Sequence, residues 1–270
     1  MRAFTRAGHS VRYHSLIETH WKRSLSRAPD VVVAVGGDGA VAKIAIALSK
    51  RPGSHAALTV IPAGTANNIA RGLGINGTAE RLAAGLDRAR KEWLAIGIAR
   101  GPWGKKRFVE SAGIGPIASL LTVELETVRA GLSYVRHVVR SDVVQLRSLR
   151  VTADGKDLRG RYVMAQAMNI PAIGPRMELA PDADPGDTAL DLVLIDEKKL
   201  PAFQRYLAQL AAGTRARAPV VAIRARRVEI SPWPAHHGAH VDDKLWPHDE
   251  DETAGKVAIR IESRIPVLVP

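Results

Sequence analysis

The sequence contains no cysteine. Disulfides, thiolate nucleophiles and cysteine-ligated metals are therefore excluded, and a reducing compartment fits. Aromatic residues are scarce as well, with three Phe, four Tyr and five Trp in 270 residues. None forms a run interleaved with arginine of the kind that stacks bases, so nucleic acid is not an expected partner. No apolar stretch reaches the length of a membrane-spanning helix, and the first residues, MRAFTRAGHSVRYHS, lack the apolar core of a secretion signal. A cytoplasmic protein is expected. Positive charge, by contrast, is abundant: 39 Lys and Arg against 27 Asp and Glu give a formal charge of +12. Such an excess favours anions, among them lipid headgroups and phosphorylated small molecules. It equally fits arginine used simply to solubilise a surface. A hydrophobic content of 46% and a charged content of 24% are those of a globular chain long enough for two modest cores.

The first hundred residues alternate between strand and helix patterns. Val31 to Val35 is a continuous apolar run of the sort found in parallel strands covered on both faces. After it, Val41, Ile44, Ala45 and Leu48 recur at the spacing of one helical face. The unit repeats with a strand at Leu58 to Ile61, a break at Pro62-Ala63-Gly64-Thr65 and a short helix from Ala66 to Gly72. A third helix is predicted after Thr78 as N-cap, with Glu80 in its first turn. This alternation predicts an α/β domain with a parallel sheet.

From Trp93 the pattern changes to short strand-like runs: WLAIGIAR, RFVESAGIG, LRVTADG, GRYVMAQAMNI, TALDLVLI, VVAIRARRVEIS and KVAIRIES. Helical patterns interrupt them around Leu120 to Leu146 and at residues 201 to 213. A second domain, mainly antiparallel β and sandwich-like, is expected. We place the α/β domain at 1–98 and the β-rich domain at 99–262, with 263–270 returning to the first.

Chemistry concentrates in two glycine-bearing loops, GGDGA (36–40) and PAGTANN (62–68), each at the C-terminal end of a predicted strand. Ligands of open parallel sheets bind beyond such ends. Glycine lets the backbone approach a ligand closely, and the free N–H groups of the following helix favour phosphate. Two neighbouring loops of this kind point to a polyphosphate, although neither matches the dinucleotide fingerprint or a Walker A loop. Asp38 would repel phosphate directly. It makes sense as a base for an incoming hydroxyl, as an acceptor held near Mg²⁺, or as the aspartate of a tight D-G turn.

Taken together, Gly36, Gly37, Asp38 and Gly39 followed by Pro62, Gly64, Thr65, Asn67, Asn68, Ala70 and Arg71 resemble the catalytic domain of the diacylglycerol kinase and sphingosine kinase superfamily. The similarity is to its bacterial lipid kinase branch, whose loops read close to GGDGT and P-x-GT-x-ND-x-AR. It continues through RFVESAGIG, the helical stretch ending LSYVRHVVRS, and residues 169–195, and so covers nearly the whole chain. An NAD kinase shares GGDG, but the second loop follows the lipid kinase pattern.

The resemblance implies ATP-dependent phosphorylation of a lipid hydroxyl, with nucleotide held between the two domains. Carried over residue by residue, it assigns the nucleotide to Gly36, Gly37, Asp38, Gly39, Ala40, Gly64, Thr65 and Asn67. It gives catalytic roles to Asp38 and Asp242, and Mg²⁺ to Asp184, Asp187 and the carbonyl of Ala189. The implied partners are nucleotide and a lipid at an anionic membrane surface, which would make the protein peripheral at the inner membrane face, with a homodimer open. His236, His237 and His240 also suggest a metal, though a zinc site requires a further ligand.

The chain departs from the family pattern at several points. It opens on what reads as a helix, where family members carry a strand and an asparagine-proline-glycine loop. The threonine after GGDG is Ala40, an aspartate leading into the second domain is Ala95, and the late D-G-E triplet is Asp242-Asp243-Lys244. Lysine cannot act as glutamate does at neutral pH unless burial depresses its pKa heavily. VDDKLWPHDEDE therefore reads either as a site or as an acidic surface hairpin. A lipid kinase leads, and a catalytically degraded relative that binds nucleotide or membrane is the alternative.

Overall fold

The computed structural model describes residues 1–51, 53, 55–123, 126–140, 147–220, 222–234, 238–247 and 254–270. After a short helix α1 (Arg2–Arg6), strand β1 (Val31–Gly36) leads into α2 (Asp38–Ser49), and β2 (Ala57–Pro62) into α3 (Asn68–Gly72). Helix α4 (Ala79–Gly85) follows, with Thr78 Oγ1 accepting the Arg81 amide as its cap. The face of α2 predicted to be apolar is the face that packs: Val41, Ile44, Ala45 and Leu48 are all buried. Each of the three larger side chains contributes roughly 1.5–3 kcal/mol by leaving water. β1 and β2 pair in parallel, Val31 opposite Ala57 and Gly36 opposite Pro62, so the two glycine loops leave the sheet side by side. β1 is packed on both faces, as its run of valines suggested, with Val32 and Ala34 in one cluster and Val31 and Val33 in another. It ends the sheet, and Val35 is 59% exposed.

Strand β3 (Arg90–Gly101) begins the passage to the second half, followed by β4 (Gly104–Phe108) and β5 (Ser111–Ile114). The run RFVESAGIG is thus two strands rather than one. Val109 and Glu110 form the step by which the chain leaves β3's neighbour for a second sheet. Helix α5 (Val128–Arg140) then precedes β6 (Arg147–Ala153), β7 (Lys156–Asp157), β8 (Gly160–Met168), β9 (Ala172–Ile173), β10 (Met177–Glu178) and β11 (Leu190–Asp196). Helix α6 (Leu200–Ala211) separates these from β12 (Ile223–Ala225), β13 (Arg227–Trp233), β14 (Ala239–Val241), β15 (Lys244–Leu245) and β16 (Gly255–Val269). These pairings are antiparallel.

Alternation along the strands sorts side chains into two cores. Leu190, Leu192 and Leu194 of β11 join Ala165 and Ala167 of β8, Trp233 and Ile259 in the core between the two sheets. Val193, Ile195, Met164 and Met168 face the other way, onto Leu132 and Val135 of α5 and Phe203 and Leu207 of α6. The second half is therefore a sandwich with two helices laid on one outer face.

The halves share a ribbon. β16 pairs antiparallel with β3 from Ala258↔Arg100 to Val269↔Arg90, and its far end adds in parallel to β2 through Val267↔Leu58. Val257 and Ile259 belong to the sandwich core, whereas Ile265, Val267 and Val269 belong to the α/β core. Both expected domain boundaries, at 98 and 262, fall inside these strands, because each strand passes from one core to the other without a break. Val267→Ala is accordingly expected to cost about 1–3 kcal/mol. The measurement is chemical unfolding: the midpoint should fall with an unchanged slope, and an unchanged midpoint would deny Val267 its place in the core.

Candidate active site at the joint of two glycine corners

The two glycine corners touch. A Cβ built on Gly64 would stand 2.4 Å from the Gly37 Cα, and one on Gly37 3.1 Å from the Gly64 Cα. Such contact is open only to residues without a side chain. The Ala63 amide donates to the Gly36 carbonyl at 3.0 Å. Asn67, in the left-handed region at φ 55°, brackets Gly64 from both sides: its Oδ1 accepts the Gly64 amide at 2.9 Å and its Nδ2 donates to the Gly64 carbonyl at 2.7 Å. Gly36, Gly37, Gly39, Ala40, Gly64, Thr65 and Asn67 are thus gathered on one side of the parallel pair, as their loops predicted.

Asp38 is the first residue of α2, and its Oδ1 accepts the Ile69 amide at 2.8 Å. It therefore spans the corners, placing an anion from the first loop at the N-terminal turn of α3 in the second. The simple D-G turn is excluded by this bond. Burial raises the Asp38 pKa, opposed by the amides of Ile69, Asn68 and Asn67.

The second half closes onto this joint from two directions. Arg176, also left-handed at φ 60°, donates to the Thr65 and Ala66 carbonyls at 3.0 Å each, and buried Asn68 donates to the Gly174 carbonyl at 2.9 Å. From the other direction comes the β14–β15 turn, whose Asp243 Oδ2 lies 3.0 Å from where a Cβ on Gly39 would be. Lys244 bridges to Asp243 at 3.4 Å and is well exposed, so it takes no glutamate-like place in the joint.

Asp242, expected in a catalytic role, is tied to the backbone of the second half. Its carboxylate accepts the amides of Val109 at 2.8 Å, Glu110 at 2.8 Å and Ser111 at 3.3 Å, and its own amide donates to the Ser111 carbonyl. Its carboxylate is engaged in holding the step between β4 and β5. Burial pushes its pKa up to about 7 against the pull of those amides. Because Asp242 fixes that step, Glu110 is delivered into the joint, and sequence inspection missed it. Its pKa stands well above the usual carboxylate range, first through burial and then through the charges of Asp38 and Asp242. The one available signal was a glutamate within an otherwise apolar run.

The expected Mg²⁺ turn does not fit a metal as it stands. Asp184 Oδ1 accepts the Gly186 amide at 2.8 Å, Asp187 Oδ1 accepts the Ala189 amide at 2.7 Å, and Asp187 Oδ2 is paired with the Arg224 guanidinium. A guanidinium occupies the place where a cation would balance Asp187. Hydrogen bonds from the Ala95 amide to the Pro185 carbonyl and from Arg264 to the Gly186 carbonyl lock the turn onto the β3–β16 ribbon. Asp184, Asp187 and Ala189 thus shape the turn, while Pro185 and Gly186 tie it to the ribbon. Among the described residues no group of three or more His, Asp and Glu is arranged to hold a metal. His240 is buried between the Gln166 side chain and the Asp242 carbonyl, and burial lowers its pKa to about 4. His236 and His237 lie outside the described residues.

A lipid kinase class is what this pairing of corner, sandwich and returning strand defines. Residues 4–98 match the diacylglycerol kinase catalytic domain, and residues 109–266 match the YegS C-terminal NAD kinase beta sandwich-like domain. The chain belongs to the family of diacylglycerol kinases and YegS lipid kinases. It is 26% identical over 250 residues to a "Diacylglycerol kinase" of Bacillus subtilis (strain 168), covering 86% of this chain and 78% of that one. It is 31% identical to a "Probable lipid kinase YegS-like" of Klebsiella pneumoniae (strain 342), over 66% of this chain and 61% of that protein. The fold matches the crystal structure of a diacylglycerol kinase from Bacillus anthracis str. Sterne with a TM-score of 0.65 at 16% identity, covering 93% of this chain and 81% of that one. Among the described residues no helix is long and apolar enough to cross a membrane.

Two outcomes test the joint. Gly64→Ala must push the corners apart and is expected to cost about 1–3 kcal/mol, read as a lowered melting temperature; an unchanged value would mean the corners do not pack. Glu110 and Asp242 hold their protons more tightly in the folded protein than in the unfolded chain. Their contribution to stability is therefore present at low pH and lost as pH rises, so the melting temperature should fall between about pH 5 and pH 7. Glu110→Gln should flatten that slope, and an equally steep slope in the variant would show that Glu110 is not one of its sources.

Proposed function

We propose that the protein transfers the γ-phosphoryl group of ATP to the hydroxyl of a diacylglycerol-like or sphingoid-like lipid at an anionic membrane surface. The observation that carries this reading is the direct contact of Gly37 and Gly64, which fuses two phosphate-favouring corners into one cradle. The positive end of the α2 dipole at this corner favours the phosphate chain of the nucleotide. Asp38 keeps the corners in register through Ile69. Phosphoryl transfer relies on alignment and charge neutralisation, so having Ala40 and Ala95 in place of a threonine and an aspartate removes contacts without removing the principle. Mg²⁺ enters as part of the MgATP substrate. The +12 charge favours residence on an anionic leaflet.

The second reading, a relative that binds nucleotide or membrane without turnover, is favoured by Lys244, which faces solvent rather than the joint. Purified protein incubated with radiolabelled MgATP and vesicles holding diacylglycerol, a sphingoid base and anionic phospholipid separates the two. Labelled lipid is expected, and Asp38→Ala should abolish it. ATP-analogue binding with no labelled lipid would establish the binding module instead.

A further inference from the structure

Four carboxyl groups meet at the joint, and their commitments differ. Asp242 is spent on three backbone amides. Asp38 is bound to the start of α3. Asp243 is exposed and paired with Lys244. Glu110 alone of these four has a carboxyl oxygen that is buried and without a hydrogen-bond partner, its Oε1. The buried side chain of Asn68, 2% exposed, hydrogen-bonds the Glu110 carboxyl yet leaves its own Oδ1, like the Glu110 Oε1, without a partner. Two enclosed acceptor oxygens facing no donor are costly, and a hydroxyl brought by a ligand would satisfy one of them.

We propose that Glu110 is the group that takes the proton from the lipid hydroxyl, a catalytic role for which Lys244 is chemically unsuited. The inference rests on the kinase reading above. In the step, the hydroxyl oxygen bonds to the γ-phosphorus of ATP while the bond from that phosphorus to the β,γ-bridging oxygen breaks. The electron pair of the broken bond leaves with ADP, and the hydroxyl proton passes to the Glu110 carboxylate, from which it returns to water. The glutamate is placed by the Asp242 hydrogen bond to its own amide, so the backbone of the step, rather than a flexible stem, aims it. The charged groups that face it are Asp38 on α2 and Asp242 and Asp243 on the β14–β15 turn, with Lys106 of β4 beside Asp243 and Asp242. Burial first, and then the surrounding negative charge, raise the Glu110 pKa and so increase the affinity of its carboxylate for a proton.

Glu110→Gln keeps the shape and removes the base. Lipid phosphorylation in the same vesicles is expected to fall by roughly a hundredfold or more in kcat, with the dissociation constant of a non-hydrolysable ATP analogue unchanged and the acid limb of the wild-type kcat profile lost. Glu110→Asp, which retains a carboxyl, should keep that limb at reduced rate. Turnover in the Gln variant within threefold of wild type overturns the assignment, as does an Asp variant whose profile is as flat as that of the Gln variant. Wild-type protein that phosphorylates no lipid removes the kinase reading and this role with it; an active wild type and an equally active Gln variant remove only the role.

Discussion

The contact between Gly37 and Gly64 is the constraint on which the site depends. Two backbones that close admit no side chain on either partner. The contact sets the distance between the two loops and therefore the size of anything held across them. Asp38 at Ile69, Asn67 around Gly64 and Arg176 at Thr65 and Ala66 then act in the same sense, each satisfying a polar group of one loop with an atom from another segment. The site is rigid because its corners are glued by backbone, and it is polar because nearly every glue atom is an amide or a carbonyl.

Electrostatics at this joint are dominated by acids. Carboxyl groups of Asp38, Glu110, Asp242 and Asp243 converge there, with Lys106 and Lys244 as near cations. Such a cluster is tolerable because two of the acids are drawn into amide networks and a third sits at the surface. The fourth absorbs the repulsion as a raised pKa. Strain that a neutral site would not have is thus concentrated in one side chain, which is where reactivity toward a proton is expected to reside.

Much of this was legible from residue type and spacing. The glycine corners, the α2 face and the Thr78 cap are local signals, fixed by what glycine, an amphipathic period and a hydroxyl can do within a few positions. What was not legible involves partners far apart in the chain. The Asp38–Ile69 bond spans 31 residues, and the Asp242 bonds to Val109, Glu110 and Ser111 span more than 130. No periodicity announces them. Asp242 looked like a free acid because a carboxylate's amide partners cannot be read from its neighbours, and Glu110 looked like one residue of a continuous strand because the step between sheets has no composition of its own. Asp187 looked like a metal ligand for the same reason: Arg224, which neutralises it, lies 37 positions away. Val35 was expected inside and lies outside, since a valine run reports strand preference but not how far along the strand the layer packed on its face extends.

The ribbon of β3 and β16 has one more consequence. Because both strands run unbroken from one core into the other, the two halves are not joined by a slack tether. Closure of the cleft on a bound molecule must bend a paired ladder elastically, and the natural place of give is the register shift between Ile261 and Ser263. At that same spot Glu262 is gripped by Arg100 and Arg107. The halves are thus coupled through a paired ladder with a charged clamp at its irregular point, which resists their separation more than a loop would.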